Sequence, residues 1–193
     1  MCCRYYYDQK KANRILEELH IDPYHGDDCP DGEITPGSRA LMITGDGRRA
    51  VSSAATWGFP NRDGRLVING CSETVSEKHM FAEAAMTRRC LLPAEHFYEW
   101  DRDRNRVTFY DGSHPVIFLA GLWSIYNGAV RFVVLTTAAN ESMKPVHDRM
   151  PLMIAPCDIA GWLSDTSYAL GYHQNMMPHL ETVRENEQMK LFV

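Results

Sequence analysis

The sequence predicts an α+β fold, in a single domain over residues 1–193, with a curled, mostly antiparallel mixed β-sheet of barrel-like form and a few flanking helices. Its 193 residues are 45% hydrophobic, which is enough to bury one core without disulfides or metals. Apolar runs typical of strands fill the second half of the chain, and helical periodicity is confined to short segments. Hairpins with a few inserted helices are typical of the α+β class.

The first half of the chain is expected to contain one surface helix and two strands. Residues 9–20 carry an apolar stripe with charges on the opposite face, as an amphipathic helix does. Residues 21–38 are rich in Asp, Gly and Pro, which predicts a loop leading into a strand at 39–44 and a turn at 45–47. A short apolar strand is expected at 66–69.

The second half is expected to consist mainly of strands. A helix from about Glu77 to Arg89, capped by Ser76, should precede them. Asn127-Gly128 between two apolar runs is a strong hairpin signal, and Asp158 is expected to cap a short helix. The expected strands are 97–100, 107–110, 115–123 and 130–137.

The composition argues against several classes of protein. The net charge is −5 and the pI is about 5.9, whereas broad electrostatic binders of nucleic acid are basic, so any DNA contact must come from a local groove. The cysteines and histidines show no metal-ligand spacing, so neither a metal nor a cofactor is expected. No apolar run approaches the roughly 20 residues of a membrane span. The N-terminus lacks the apolar stretch of a secretory signal, which predicts a cytoplasmic protein with reduced thiols and no membrane partner.

Four reactive residues stand in contexts that packing alone does not explain: Cys2, Asn69, Glu99 and His147. Removal of Met1 would give Cys2 a free α-amine beside its thiol. Strand alternation places Glu99 on the same face as Phe97, half-buried. A carboxyl desolvated by aromatic neighbours can hold or deliver a proton near neutral pH. A glutamate at a sheet edge, or one paired with an arginine, is an equally good interpretation.

The contexts of His147 and Asn69 also leave two interpretations each. His147 lies in a loop between Pro145 and Pro151, where an imidazole can exchange protons near pH 7. Taken alone, a loop histidine bonded to a backbone carbonyl is the commoner role. Asn69 precedes Gly70, which signals a turn, whereas a functional amide would orient another polar group.

Several motifs follow one another along the chain and together are highly specific. They are Met1-Cys2-Cys3-Arg4-Tyr5, Trp57-Gly58-Phe59-Pro60, Asn69 with Ser72-Glu73-Thr74, Arg89-Cys90-Leu91-Leu92-Pro93 with Phe97-Tyr98-Glu99-Trp100, Leu135-Thr136-Thr137-Ala138-Ala139-Asn140, and His147-Asp148-Arg149-Met150-Pro151. This order resembles the SOS-response-associated peptidase (SRAP) family, whose domain shields abasic sites in single-stranded DNA. The resemblance covers about residues 1–163, and the path of residues 164–193 is left open.

The resemblance implies covalent chemistry at the N-terminus. Met1 would be removed, by self-cleavage, and Cys2 would attack the ring-opened aldehyde of an abasic deoxyribose. An α-amine with a pKa of about 7.7–8 can form a Schiff base, and a thiol with a pKa of about 8.5 can then close a thiazolidine. By the same resemblance Asn69 positions the terminus or the sugar, Glu99 shuttles protons, and His147 assists crosslinking or its reversal. The implied activities are a peptidase that removes Met1 and a lyase-like DNA–protein crosslinking activity.

The resemblance also implies a monomer whose partner is single-stranded DNA containing abasic sites. The protein would be cytoplasmic, and nucleoid-associated when bound to DNA. The residues implied in DNA binding are Arg4, Trp57, Gly58, Arg149, Met150 and Pro151.

Four positions depart from the family pattern. Cys3 and His96 stand where glycine is usual, and Cys71 and Ala82 stand where the family places arginines. Each charged phosphate contact adds to a salt-dependent affinity, so the loss of two should weaken DNA binding unless other arginines compensate.

Two other functions are compatible with the sequence. An N-terminal-nucleophile or cysteine peptidase would use Cys2 to attack an amide and would release product repeatedly, with Glu99 and His147 handling protons. A binding module would keep the fold without the chemistry and would retain Met1.

Overall fold

The structure is a computed structural model that describes residues 3–45 and 49–184. Cys2 and most of the turn expected at 45–47 therefore lie outside the described residues, as does the end of the tail. Within the described residues no helix is long and apolar enough to span a membrane.

The described chain contains fifteen strands and four α-helices. The strands are β1 Tyr5–Tyr7, β2 Gly32–Ile34, β3 Arg39–Gly45, β4 Ala50–Trp57, β5 Phe59–Pro60, β6 Leu66–Val67, β7 Asn69–Cys71, β8 Arg89–Ala94, β9 His96–Trp100, β10 Arg106–Tyr110, β11 Ile117–Tyr126, β12 Ala129–Ala138, β13 Arg149–Pro151, β14 Met153–Ile154 and β15 Glu181–Arg184. The helices are α1 Gln9–Glu18, α2 Ala82–Thr87, α3 Ile159–Ser164 and α4 Thr166–Gly171, with short 3₁₀ turns at Pro156–Asp158 and Tyr172–Gln174.

Five strands close into a barrel in the order β12-β4-β3-β8-β11, with β11 pairing back onto β12. The β12–β4 pairing is parallel and the other four are antiparallel, so the barrel is mixed. A second sheet, β15-β10-β9-β1-β2, is antiparallel throughout. The expected α+β class with a curled, barrel-like, mostly antiparallel mixed sheet is confirmed.

The β11–β12 hairpin has the turn that its sequence predicts. Asn127 and Gly128 have φ values of 50° and 78°, the left-handed conformation that this turn requires at both central residues. The strands then pair from Tyr126 opposite Ala129 to Gly121 opposite Val134. Between them they supply a large part of the barrel wall, and their central residues are buried.

Helix α1 is confirmed, and the expected helix from Glu77 to Arg89 is wrong at both ends. Ser76 does not cap it, since α2 begins at Ala82 after a series of turns. It ends at Thr87, and Arg89 instead starts β8, opposite Leu122 of β11. The buried Arg89 guanidinium bonds the carbonyls of Ala85 and Met86 at 3.0 and 2.8 Å, which satisfies the end of the helix.

The tail, whose path the sequence leaves open, forms a helix, a 3₁₀ turn and a strand up to residue 184. Helix α4 begins after Asp165, whose side chain accepts a bond from the Tyr168 amide at 3.0 Å. Strand β15 then adds antiparallel to β10, with Val107 opposite Arg184. The expected strand at 66–69 is divided, because Leu66 and Val67 pair with β5 while Asn69 starts a strand beside β12.

Candidate active site

Glu99 lies on the inner face of β9, between β1 and β10. It is 3% exposed, more deeply buried than the half-burial expected from alternation, and it lies opposite Val107 of β10. Phe97 shares this inner face, and Tyr98 lies on the opposite face with its ring beneath the Arg106 guanidinium, as the alternation predicts. The site therefore contains a carboxyl group shielded from bulk water.

The start of the described chain runs beside Glu99. The Tyr98 amide donates to the Arg4 carbonyl at 3.0 Å, which extends the pairing of β1 with β9. Burial, and then the negative charge of Glu99, raise the pKa of the Cys3 thiol. The residue that directly follows Cys2 is thus in electrostatic contact with the Glu99 carboxyl.

Asn69 is held in β7, which lies parallel to β12 with Asn69 opposite Val134. The Val134 amide donates to the Ile68 carbonyl at 3.0 Å, immediately before Asn69. Asn69 is half-buried, and its place in a sheet argues against the simple turn that Asn-Gly would otherwise indicate.

Trp57 connects the two sheets at this site. Its indole N–H donates to the Ile68 carbonyl at 2.9 Å, and its ring lies 5.4 Å from the ring of Tyr5 and 6.0 Å from that of Phe132. Tyr5 belongs to the strand that runs beside Glu99, and Ile68 precedes Asn69. The buried indole therefore fixes the Glu99 side of the site relative to the Asn69 side.

Replacing Trp57 by Phe should lower the free energy of unfolding by about 2–4 kcal/mol, because the indole is fully buried and its hydrogen bond is lost with part of its volume. Urea titration followed by circular dichroism measures this change. Ile125→Val is the matched control, since Ile125 is 61% exposed and a change within about 0.5 kcal/mol is expected there. Equal stability of W57F and the wild type would refute a connecting role for the indole.

His147 lies in a compact loop between β12 and β13 that Asn140 organises. The Asn140 side-chain oxygen accepts from the Ser142 and Met143 amides at 3.1 and 3.2 Å. The His147 amide donates to the Met143 carbonyl at 3.1 Å, and the ring Nδ1 accepts from the Arg149 amide at 2.9 Å. An acceptor at Nδ1 assigns the proton of the neutral ring to Nε2, so His147 presents an N–H donor.

Arg149 is clamped by Glu73. Its two terminal nitrogens donate to the two Glu73 oxygens at 2.9 and 2.6 Å, and Nη2 also donates to the Thr136 carbonyl at 2.6 Å. The same nitrogen lies 3.2 Å from Sγ of Cys71, and that thiol donates to Glu73 at 2.8 Å. Cys71 thus occupies one end of a hydrogen-bonded cluster.

The cluster changes the acidity of Glu73. Partial burial acts to raise the pKa of its carboxyl, but the hydrogen bonds from Arg149 and Cys71 outweigh burial and hold the pKa well below its ordinary value. The hydrogen bonds that Arg149 donates to Glu73 raise the pKa of Arg149. Both groups therefore remain charged throughout the physiological range of pH.

The pKa of Glu73 is lower in the folded protein than its unfolded-state value of about 4.5, so the ionised carboxylate stabilises the fold above about pH 4.5. This stabilisation is lost progressively as the pH falls below 4.5. The free energy of unfolding of the wild type should therefore exceed that of Glu73→Gln by about 1–2 kcal/mol at pH 7, after allowance for solvent screening. The difference should shrink as the pH falls from 4.5. Denaturant titrations of both proteins between pH 3 and 7 measure it, and parallel stability curves over that range would contradict the clamp.

Strand β12 is the common support of the Asn69 and His147 side of the site. It pairs with Asn69 at Val134, with Cys71 at Thr136, and with Arg149 at Ala138. The loop of His147 leaves β12 and returns into β13. The described contacts therefore bring Asn69, His147 and Arg149 onto one scaffold, and Trp57 links this scaffold to β1, which pairs with the strand of Glu99.

Four of the six residues implied in DNA binding are buried. Trp57, Gly58, Met150 and Pro151 are buried, and the side chains of Trp57, Met150 and Pro151 pack within the core. Gly58 has φ +110°, a backbone conformation that glycine favours, and its amide donates to the Phe132 carbonyl at 2.7 Å. Contact of these four residues with DNA stays a prediction of the resemblance.

Arg4 and Arg149 reach the surface only in part, and each has a carboxylate partner. Arg149 binds Glu73, and Arg4 forms an ion pair with Glu33. The Arg4 guanidinium also lies over the ring of Trp100, 5.5 Å from its centre. A phosphate would have to compete with these carboxylates for both arginines.

Sequence reasoning did not assign a role to Glu73, although it recognised the Ser72-Glu73-Thr74 motif. The Glu73 carboxylate accepts hydrogen bonds from Arg149 and from the Thr137 hydroxyl, which are each more than 60 residues away in sequence. The motif was the signal that could have identified it.

Comparison with known proteins identifies the relatives of this chain. The family model described as "SOS response associated peptidase (SRAP)" matches residues 1–191. Abasic site processing protein YoaM of Bacillus subtilis is 29% identical over 180 residues, which cover 84% of this chain and 79% of YoaM. Abasic site processing protein YedK of Escherichia coli is 24% identical over 176 residues, which cover 84% of this chain and 79% of YedK. A crystal structure of a Bordetella bronchiseptica protein matches the fold with a TM-score of 0.77 and 19% identity, covering 95% of this chain and 99% of that one.

Proposed function

Because the chain belongs to the SOS response associated peptidase (SRAP) family, we propose that it processes abasic sites in single-stranded DNA by forming a covalent crosslink through Cys2. Relatives named as abasic site processing proteins support the substrate. The observation that carries the proposal is the buried Glu99 carboxyl beside Cys3, the residue that follows the proposed nucleophile.

The chemistry begins with removal of Met1, which leaves the α-amine of Cys2 as the new terminus. This step consumes one water, because an amide bond is hydrolysed, and it gives the chain its peptidase character. The Glu99 carboxyl acts electrostatically on Cys3 at this end of the described chain, and it supports proton transfer in this step.

Crosslinking follows at the C1′ aldehyde of the ring-opened deoxyribose. The unprotonated α-amine attacks the carbonyl carbon, the resulting carbinolamine loses water, and an imine forms. The Cys2 sulfur then adds to the imine carbon and the thiol proton passes to the nitrogen, which closes a five-membered thiazolidine. The overall change is the loss of one water, with no oxidant or reductant.

Glu99, His147 and Asn69 assist these reaction steps by transferring protons and by positioning the reacting groups. Glu99 donates a proton to the departing hydroxyl of the carbinolamine and recovers one from the amine, as a positioned carboxyl group does in general acid–base catalysis. His147, with Nε2–H as donor, bonds an oxygen of the opened sugar. Asn69 orients the sugar or the terminus from the strand beside Trp57.

The test is incubation of the Met1-free protein with a single-stranded oligonucleotide that carries one abasic site, beside the same oligonucleotide with an intact base. We expect a heat-stable adduct on a denaturing gel only with the abasic strand, at one adduct per protein. Repeated product release from peptides would instead identify a peptidase. Stoichiometric non-covalent binding with no adduct at low salt would identify a binding module.

A further inference from the structure

A small hairpin projects next to Asn69 and has a rigid turn. Strands β5 and β6 pair with Phe59 opposite Val67, and β6 leads within two residues into Asn69. The side-chain oxygen of Asn61 accepts from the Asp63 and Arg65 amides at 2.9 and 2.8 Å. The Asn61 amide also donates to the Arg65 carbonyl at 2.9 Å, so the turn has a fixed shape.

Two exposed arginines of this turn have no carboxylate partner. Within residues 3–45 and 49–184, the guanidinium groups of Arg62 and Arg65 make neither an ion pair nor a hydrogen bond. Arg4 and Arg149, by contrast, are bound to Glu33 and Glu73. Asp63 is the carboxylate of the turn itself, so the turn retains a net positive charge.

A third arginine stands at the base of the hairpin. Arg131 lies on β12 opposite Thr56, and its Nη1 donates to the Gly58 carbonyl at 3.1 Å. This bond fixes the guanidinium beside β5 and leaves its other N–H groups for a ligand. In the part of the chain that the structure describes, Arg131 forms no ion pair.

The three arginines lie along the approach to Asn69. Arg131 is three residues before Val134, the residue opposite Asn69, which is about 10 Å along a strand at 3.3 Å per residue. A strand of DNA whose sugar reached Asn69 would therefore have its neighbouring phosphates within reach of the β5–β6 hairpin and of Arg131 at its base. Unpaired guanidinium groups bind phosphate without first giving up a carboxylate.

We propose that the β5–β6 hairpin, through Arg62 and Arg65 with Arg131 at its base, binds the phosphates of single-stranded DNA beside the site. The inference deepens the proposed function and rests on it for the identity of the ligand. It assigns the main phosphate contacts to three arginines outside the set that the resemblance implied.

The test measures the affinity for a fluorescent oligothymidylate without an abasic site, over a range of salt concentrations. Each phosphate contact with single-stranded DNA contributes about 0.7 to the slope of log K against log salt. R62Q/R65Q should therefore reduce the slope by about 1.4, and adding R131Q should reduce it by about 0.7 more. K10Q/R14Q is the matched control on the exposed face of α1, with the same change of charge and an expected slope equal to that of the wild type.

The outcomes separate this inference from the proposed function. A slope that is the same in R62Q/R65Q as in the wild type, or a reduction as large in the control, overturns the role of the hairpin. The adduct assay of the wild-type protein with the abasic strand is read independently. If the hairpin variants lower the slope but the wild type forms no adduct, the phosphate contacts are supported and the crosslinking chemistry is refuted. If the wild type forms the adduct but the hairpin variants keep the wild-type slope, the crosslinking chemistry is supported and the phosphate contacts are refuted.

Discussion

Replacing Cys2 by Ala is expected to abolish the heat-stable adduct with an abasic strand. The variant keeps the α-amine and can still form the imine, but it has no sulfur to close the thiazolidine. Borohydride should therefore trap the variant on the abasic strand, while heating without borohydride should release it. Denaturing gels of both treatments, beside the wild type, measure the two species.

Cys3→Ala is the matched control for this experiment, because it removes the adjacent thiol and leaves the proposed nucleophile in place. We expect it to retain the heat-stable adduct. The proposal assigns the thiol chemistry to the wrong residue if Cys3→Ala loses the adduct while Cys2→Ala keeps it.

Replacing Glu99 by Gln should slow adduct formation by about 10²–10⁴-fold, the usual contribution of a positioned general acid or base. The Glu99 side chain is 3% exposed, so bulk water cannot easily replace it in proton transfer. Glutamine has the same shape and fills the same space, which limits the effect on packing. Single-turnover rates with saturating protein measure the loss.

Glu95→Gln is the control for charge in the same region, since Glu95 directly precedes β9 and pairs with Lys11. It should react at the wild-type rate. A rate for E99Q within a few-fold of the wild type would remove Glu99 from the mechanism.

The sequence was sufficient to predict the fold class and the main hairpin. Asn127-Gly128 between apolar runs determines the β11–β12 turn locally, and the two strands carry enough apolar residues to be buried wherever they pack. Alternation along β9 likewise identified the inner face of Glu99. These features depend on neighbours in sequence, so they could be inferred from the sequence alone.

The features that could not be predicted depend on distant partners. Arg89 was expected to end a helix, but pairing of β8 with β11 and bonds to the helix carbonyls make it a buried strand residue. Strand β15 exists because it pairs with β10, more than 70 residues earlier. The burial of Trp57 and Met150, which the resemblance assigned to DNA, likewise follows from packing rather than from local sequence.

The ion pairs of the arginines also depend on distant partners and could not be predicted from the sequence. The resemblance drew attention to Cys71 and Ala82 as positions without arginines, and to Arg4 and Arg149 as positions with them. The structure pairs both of these arginines with glutamates, whereas Arg62 and Arg65 remain without carboxylate partners among the described residues. Which arginines are available to a phosphate depends on such pairings.

The most direct test of the central claim is the intact mass of the wild-type protein after incubation with an abasic single-stranded oligonucleotide. The proposal predicts a species equal to the chain without Met1 plus the oligonucleotide, less one water, that survives heating. Recovery of only the free oligonucleotide and an unmodified chain that has lost Met1 would contradict it.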